Sequence, residues 1–595
     1  MGIFSRKERD RPPKTASGPA PPLTTSHSSG SINSGGSASL KSPLSSASST
    51  HLPTQPSHHH GVSGGRAVNR SSAGTMNTIS TSASGPGTPI TQFSPVRMSK
   101  ADLPRGPDPA LDPAGYLRSL PAVRERSRII TDKALRDELT HFDVDMSKFS
   151  DVVTFVAQII KRDYDAPFTP SIPPHGRYQH FAVGGRDRIA LLLATWPNDS
   201  VDSTERCRRL IDLFLVSVLL DAGAGTQWKY TSVENRRVYR RSEGIAIASL
   251  EMFKTGLFSG NPQNKTQVDK DGLQTLTVDI LAKGLQSHSG NEMAGMEGRA
   301  GLLMRLGDAL AASPEVFGSD GRPGRIVDYL LAHPTTQASS KPIVSVNVLW
   351  TLLMDSLEPI WPESRTAING ISLGDAWPCS SMPQAKSGAA ESHGSPPGSL
   401  SSRTPSTPTF SPFPTSGSSN SASSKSPNRV AAWESIVPFH KLTQWLTYSL
   451  MQPMQTLLKI HFAGAELLTG LPEYRNGGLF VDLGVLNLKP DDMERGLAHY
   501  REFCERTGHS GIEVAPMFCT GDDVVVEWRA VTVGFLDRLC KEVNRTLRTE
   551  LQGSELSLAQ LLEAGSWKGG REMAEMSRPN TKEPPILIDS DGTVF

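Results

Sequence analysis

One carboxylate, Asp482, sits in the run Gly477-Gly478-Leu479-Phe480-Val481-Asp482-Leu483-Gly484-Val485-Leu486, which is glycine-flanked and otherwise apolar. Burying an ionised Asp there costs several kcal/mol unless it is paired. The residue therefore has a chemical task, a strong partner, or a place at a helix end where its oxygen caps the chain. A second carboxylate, Asp221, closes a long apolar stretch and is followed by Ala222-Gly223-Ala224-Gly225-Thr226-Gln227-Trp228-Lys229-Tyr230. Small residues let a backbone approach a ligand closely, and Trp228 and Tyr230 offer stacking faces with polar handles. The alternative is a turn Asp beside core aromatics. Val526-Glu527-Trp528-Arg529 places a carboxylate and a guanidinium two residues apart at the start of an apolar helix. Arg529 there suits a bidentate phosphate clamp or a structural ion pair. Arg241-Ser242-Glu243-Gly244 opens another helix, where Ser and Glu suit capping and a helix N-terminus also attracts phosphate. His175 and His180, near Arg177 and Tyr178, are lesser candidates, since a lone loop histidine is more often solvated than functional.

The elements that must position these groups are helical. Leu210, Phe214, Ser217 and Asp221 recur at helical spacing in the stretch Glu205 to Asp221, with Leu213, Val216 and Leu220 alongside. That stretch is apolar over much of its circumference, as a central helix is. Arg241 to Lys254 repeats the pattern, and Gly256 supplies a C-terminal stop. Segments 299–311, 342–357, 438–468, 491–507, 526–548 and 556–577 also read as helices, with Pro453 expected to kink or break the one that contains it. The best short strand candidate is Asp523 to Glu527. The fold class expected is mainly α, a single all-helical domain.

Composition divides the chain. Residues 1–110 form a Ser/Pro/Gly-rich arm without apolar periodicity, too poor in apolar surface to offset chain entropy. Residues 379–428 form a Ser/Pro-rich insert of the same character. Between and after them lie two amphipathic parts of one helical domain, 111–378 and 429–578, followed by a tail at 579–595. With 61 basic and 60 acidic residues the net charge is +1, so no field invites nucleic acid or an anionic membrane. The opening basic run Arg6, Lys7, Arg9, Arg11 stands near Gly2, but Arg6 occupies the place where myristoylation requires Ser or Thr. No apolar run reaches about 18 residues and no signal-peptide core is present, so a cytoplasmic protein is expected, with the nucleus as alternative. Five scattered cysteines without metal-ligand spacing fit reduced, mostly buried thiols. His58-His59-His60 lies in the arm and reads as incidental. Phosphate-loop, dinucleotide, zinc-protease and nucleophile-elbow signatures are absent, and no metal or cofactor is expected.

The blocks HGRYQHFAVGG, LLDAGAGTQWKY, RRSEGIAIASLEMFKTGLFSG, EGRAGLLMRLGDAL, DAWPC, VPFHKLTQWLTYSLMQPM and LPEYRNGGLFVDLGVLNL resemble, in order from about Tyr116 to Met576, the fungal and bacterial family that includes the uracil catabolism protein of the URC pathway. That resemblance implies a role in pyrimidine breakdown in which uracil becomes UMP, the ring is opened, and urea and a three-carbon acid result. A remoter resemblance is to the queuosine nucleoside salvage hydrolases, all-α proteins related in fold to helix-hairpin-helix DNA glycosylases. Asp221 and Trp228, Phe480-Val481-Asp482, and Val526-Glu527-Trp528-Arg529 match their motifs. Leu483-Gly484-Val485 departs from the aromatic-basic pair found there, which touches base recognition rather than the carboxylate. The resemblance implies hydrolysis of the N-ribosidic bond of a ring-opened uridine phosphate such as ribosylurea phosphate. Asp482 would be the catalytic carboxylate and Trp228 and Phe480 would pack on the ligand. Asp221 would hydrogen-bond it, Arg529 or Lys229 would hold phosphate, and Glu527 would join the binding residues. One carboxylate serves this chemistry because C1′–N cleavage passes through an oxocarbenium-like transition state. The partners implied are a small ribosyl molecule and, transiently, other enzymes of the pathway. Two other function classes are an amidohydrolase acting on the ureido fragment and a non-enzymatic scaffold or regulator. Deleting residues 1–110 separates the last, since an enzyme keeps its turnover without the arm.

Overall fold

The computed structural model describes residues 106–225, 227–338, 340–384, 430–508 and 513–593, all within the unit Pro86–Phe595. Most of the arm expected at 1–110 and of the insert expected at 379–428 therefore lies outside the described residues, as do Gly2, the basic run and His58-His59-His60. The principal helices are α1 (Leu120–Ala134), α2 (Phe149–Asp163), α3 (Ser203–Leu219), α4 (Arg241–Thr255), α5 (Met296–Ala312), α6 (Val346–Ser356), α7 (Lys441–Leu458), α8 (Tyr474–Asp482), α9 (Pro490–Thr507), α10 (Asp523–Thr546) and α11 (Trp567–Ser577). The protein is mainly α. Among the described residues no helix is long and apolar enough to cross a membrane.

Helix α3 is buried continuously from Leu210 to Leu219, as its all-round apolar pattern requires, and it packs lengthwise on α7. A second pair joins α1 to α10, and a third joins α8 to α11. One core runs through all of them, from Leu120 to Ile586. Short two-stranded ladders then pin distant segments: β1 (Phe142–Val144), β2 (Ile343–Ser345), β3 (Ala376–Pro378), β4 (Ile436–Pro438), β5 (His461–Ala463), β6 (Leu486–Leu488), β7 (Met517–Cys519) and β8 (Leu587–Asp589). β1 pairs antiparallel with β6, placing Phe142 opposite Leu488, and β2 pairs parallel with β5. Antiparallel β3 and β4 set Ala376 opposite Pro438, so the two ends of the insert meet and the domain is continuous across it. Parallel β7 and β8 draw the C-terminal segment, read from sequence as a tail, into the fold.

One local expectation is corrected and another narrowed. Asp523 to Glu527 opens α10 instead of forming a strand: the Asp522 side chain accepts a hydrogen bond from the Val524 N–H, and Val524, Val525 and Val526 are all buried in the helix. A cap and all-round burial override the β preference of a valine run. Of the two outcomes expected at Pro453, a kink or a break, the break does not occur: α7 continues to Leu458 before Lys459 turns into the left-handed region at φ 56°. Burial of Leu450, Met451 and Met454 around the proline offsets the lost backbone bond. Gly256 terminates α4 at φ 85°, where a side chain would be strained.

His141 ties α9 to α10. Its Nδ1 lies 2.8 Å from Asp492 and its Nε2 2.8 Å from Asp523. Burial pulls its pKa down, but hydrogen bonds to Asp523 and Asp492 outweigh that and raise it to about 9. A raised folded-state pKa gives stability that is complete below the unfolded value of about 6.5 and is lost as pH rises through the folded one. Urea unfolding should therefore show stability declining between pH 6.5 and about 9, and the slope should flatten in His141→Gln. An unchanged slope in that variant would remove His141 from the account.

Candidate active site

A cavity of about 340 Å³ opens where the segment after α3, the start of α4, the start of α8, one face of α9 and the C-terminal segment meet. Asp221, Arg241, Ser242, Tyr474, Arg475 and Glu583 line it. The chain turns sharply after α3, with Gly225 at φ 74°. Arg299 on α5 fixes that turn. Its guanidinium donates to the carbonyls of Leu220 (3.0 Å), Ala222 (2.6 Å) and Gly223 (2.6 Å), and to that of Ala294. Burial pulls Arg299 down to about 10, opposed by Asp221 and Tyr474. A wholly buried cation that spends three of its hydrogen bonds on one turn holds that turn in a single shape, and the shape presents Asp221 to the cavity.

Behind Asp221 lies a buried polar cluster. Arg177 Nη1 donates to Asp221 Oδ2 at 2.6 Å, and Arg177 Nε donates to Ser217 Oγ at 2.7 Å. Arg177 Nη1 also reaches His180 Nδ1 at 3.0 Å. A guanidinium can only donate, so His180 accepts at Nδ1 and carries its proton on Nε2. Burial, then the charges of Arg177 and His175, push His180 well below its ordinary pKa, so the ring is neutral. Among the described residues His180 Nε2, Arg177 Nη2 and Trp445 Nε1 are buried without a hydrogen-bond partner. Each such donor costs about 1–3 kcal/mol, and a fold that tolerates several in one place sacrifices stability locally, as functional sites do. Lys441 opens α7, and its backbone N–H donates to Asp375 Oδ2 at 3.0 Å. Burial lowers its pKa, with Asp221 and Glu473 opposing. Burial raises Glu473, which caps α8 by accepting from the N–H groups of Arg475 (2.8 Å) and Asn476 (2.7 Å).

Of the residues singled out from the sequence, Asp221 with the small residues after it, Arg241 and Ser242 line the cavity, while Asp482, Phe480, Trp228, Lys229, Glu527 and Arg529 stand elsewhere. Asp482 ends α8 in a bidentate pair with Arg578, at 2.8 and 2.6 Å, and its side chain is 5% exposed. Phe480 is stacked in the core against Phe149 and lies edge-on to Phe535. Trp228 is buried, donating from Nε1 to the Leu285 carbonyl at 2.9 Å. Lys229 is exposed, and its backbone is paired with Asn291. Glu527 accepts from the N–H groups of Thr140 (2.9 Å) and His141 (2.8 Å) and from the Ser381 hydroxyl. Arg529 grips Asp375 through both nitrogens at 2.7 Å, with its guanidinium over the Phe439 ring. Ser381 and Cys379 are buried and belong to the fold, although composition placed them in the insert. The histidines ranked as lesser candidates are not solvated: His175 and His180 are 2% and 5% exposed, packed against Trp445 and Trp567.

Sequence reasoning passed over Lys441, Glu473, Tyr474, Arg475, Arg299 and the C-terminal wall of the cavity. The available signal was the density of charged residues in otherwise apolar blocks such as VPFHKLTQW and LPEYRNGG. Among the described residues the side chains able to share a metal ion are His499, Cys519 and Asp589, whose ligand atoms lie within 4.8 Å of one another. Asp589 also takes a hydrogen bond from Arg506 at 3.0 Å. All five cysteines are free thiols; Cys207 and Cys379 are buried and Cys519 is exposed.

The model of the family described as "protein of unknown function (DUF1688)" matches residues 116–595. The chain is 40% identical over 488 residues to a Lachancea kluyveri protein named "Uracil catabolism protein 4", an alignment covering 81% of this chain and 99% of the relative. It is 42% identical over 479 residues to "Protein urg3" of Schizosaccharomyces pombe, covering 80% of this chain and 98% of that protein.

Proposed function

The chain belongs to the DUF1688 family, and from that premise we propose that it acts in uracil catabolism, hydrolysing the N-ribosidic bond of a ring-opened uridine phosphate such as ribosylurea phosphate. The pathway comes from the name of the Lachancea relative. The reaction rests on one observation: sequence blocks hundreds of residues apart converge their charged side chains around Asp221 at the cavity. The catalytic carboxylate in this reading is Asp221. Asp482 has both oxygens bound by Arg578 and lies outside the cavity lining, so it is not presented to a ligand there.

As the C1′–N bond breaks, positive charge grows on the ribosyl ring carbon and oxygen. Asp221, held by Arg177 through one oxygen, keeps the other for that charge and for the proton of the attacking water. A ureido nitrogen leaves poorly as an anion and needs a proton. Asp221 lines the cavity and can pass on the proton it takes from the attacking water, whereas Lys441 lies outside the lining and acts on Asp221 through its charge. The products are a ribose phosphate and a urea-type fragment, and water supplies the balance of atoms.

The test is a product assay on purified protein, with ring-opened UMP generated by a cyclohydrolase. Release of free ribose phosphate supports the reading. Ammonia or carbon dioxide released with the ribosyl bond intact would replace it with an amidohydrolase.

A further inference from the structure

We propose that the part of the cavity between Arg241 and Arg475 is a phosphate subsite, which takes the 5′-phosphomonoester of the ribosyl ligand. This rests on the reading of the cavity as a ribosyl site and deepens it. Arg475 is 4% exposed, yet no carboxylate is bonded to it among the described residues. Its side chain makes one hydrogen bond, from Nη1 to the Lys582 carbonyl at 3.1 Å, while it lines the cavity. Arg241 is tethered in the same way, from Nη2 to the Thr581 carbonyl at 2.8 Å. Neighbouring carbonyls of the C-terminal segment thus aim two guanidinium groups without neutralising either. Both also lie close enough to repel: burial first, and Arg241 among the charges, bring Arg475 down to about 10. A buried guanidinium beside a second positive charge is unfavourable until an anion joins them.

The backbone supplies the rest of the cradle. Helix α4 begins at Arg241 without a side-chain cap, so its first N–H groups and positive dipole end remain available beside Ser242, which also lines the cavity. Arginine forks match phosphate oxygens in pairs, and a monoester carrying close to two charges satisfies both forks as a single carboxylate would not. The nearby carboxylate is Glu583, which lines the cavity and is raised by burial, with Arg241, Arg475 and Arg578 opposing. Its charge competes with that of an incoming phosphate for the same guanidinium groups.

Isothermal titration of the full chain with ribose 5-phosphate, ribose and inorganic phosphate tests this. Ribose 5-phosphate should bind at least about tenfold more tightly than ribose, with inorganic phosphate competing against it. Arg241→Gln should weaken ribose 5-phosphate about tenfold and leave ribose unchanged, whereas Glu583→Gln should strengthen ribose 5-phosphate severalfold. Opposite signs in the two variants exclude a shared folding defect. Equal affinity for the two sugars, no binding of ribose 5-phosphate, or indifference of both variants overturns the subsite. That failure is separable from failure of the reaction. Hydrolysis of an unphosphorylated ribosylurea with no phosphate preference sinks the subsite alone, and Arg241-dependent binding without turnover sinks the reaction alone.

Discussion

Asp221→Asn should lower ribosyl-bond hydrolysis by about a thousandfold, the scale of losing a charged acid–base group at a developing cation, while leaving the protein folded. The asparagine amide oxygen can still accept from Arg177 Nη1, now 2.6 Å from the carboxylate, and Arg299 holds the turn through backbone carbonyls that the substitution does not touch. What disappears is the charge. Asp482→Asn should behave in the opposite way. It breaks a nearly buried bidentate pair and leaves Arg578 without a counter-charge, which costs roughly 3–5 kcal/mol for a buried pair, yet turnover per folded molecule should stay near the parent value. Single-turnover rates and urea midpoints on both variants decide the matter. If Asp482→Asn keeps its midpoint and loses turnover while Asp221→Asn does not, the catalytic role returns to Asp482.

The second large effect concerns Asp375 and Arg529. The pair is fully desolvated and joins β3 to α10, and Asp375 also takes the Trp377 indole N–H at 2.8 Å and the backbone N–H of Lys441. Burial alone would raise the Asp375 carboxyl, but the Arg529 charge and its hydrogen bonds hold it well below the usual carboxylate range. Asp375→Asn should cost about 3–5 kcal/mol of unfolding free energy, because the Arg529 charge is left uncompensated in the interior. Replacing both residues by apolar side chains of similar volume should recover most of that loss. A depressed folded-state pKa gives stability that is complete above the unfolded value of about 3.9 and is lost as pH falls further. Acid unfolding of the parent should therefore begin below about pH 4, and Asp375→Asn should have a shallower acid limb. Denaturant curves from pH 2 to 7 test this, and a loss under about 1 kcal/mol at neutral pH would show the pair to be dispensable.

Local pattern accounts for much of the fold. The apolar circumference of Leu210–Leu219 demanded a central helix, and α3 is one; Gly256 signalled a stop, and α4 ends on it. Family resemblance and helical class were both legible, because they reside in residue order and short-range periodicity. Asp221 stood out in the sequence as well, since small residues follow it for several positions, and it does line the cavity.

The role of each charged group was decided by partners that no local window contains. Asp482 resembled a catalytic carboxylate until Arg578, 96 residues further on, occupied both of its oxygens. Arg529 resembled a phosphate clamp until Asp375, 154 residues away, filled its fork. Lys441, Glu473 and Arg475 gained their perturbed states only when the fold removed water from around them. The C-terminal segment became a cavity wall only through its parallel pairing with β7. Backbone preference acts over a few residues and can be read in sequence. Desolvation and charge pairing depend on which distant side chains the core brings within a few ångströms, so the tertiary structure alone determined that Asp221 lines the cavity and Asp482 does not.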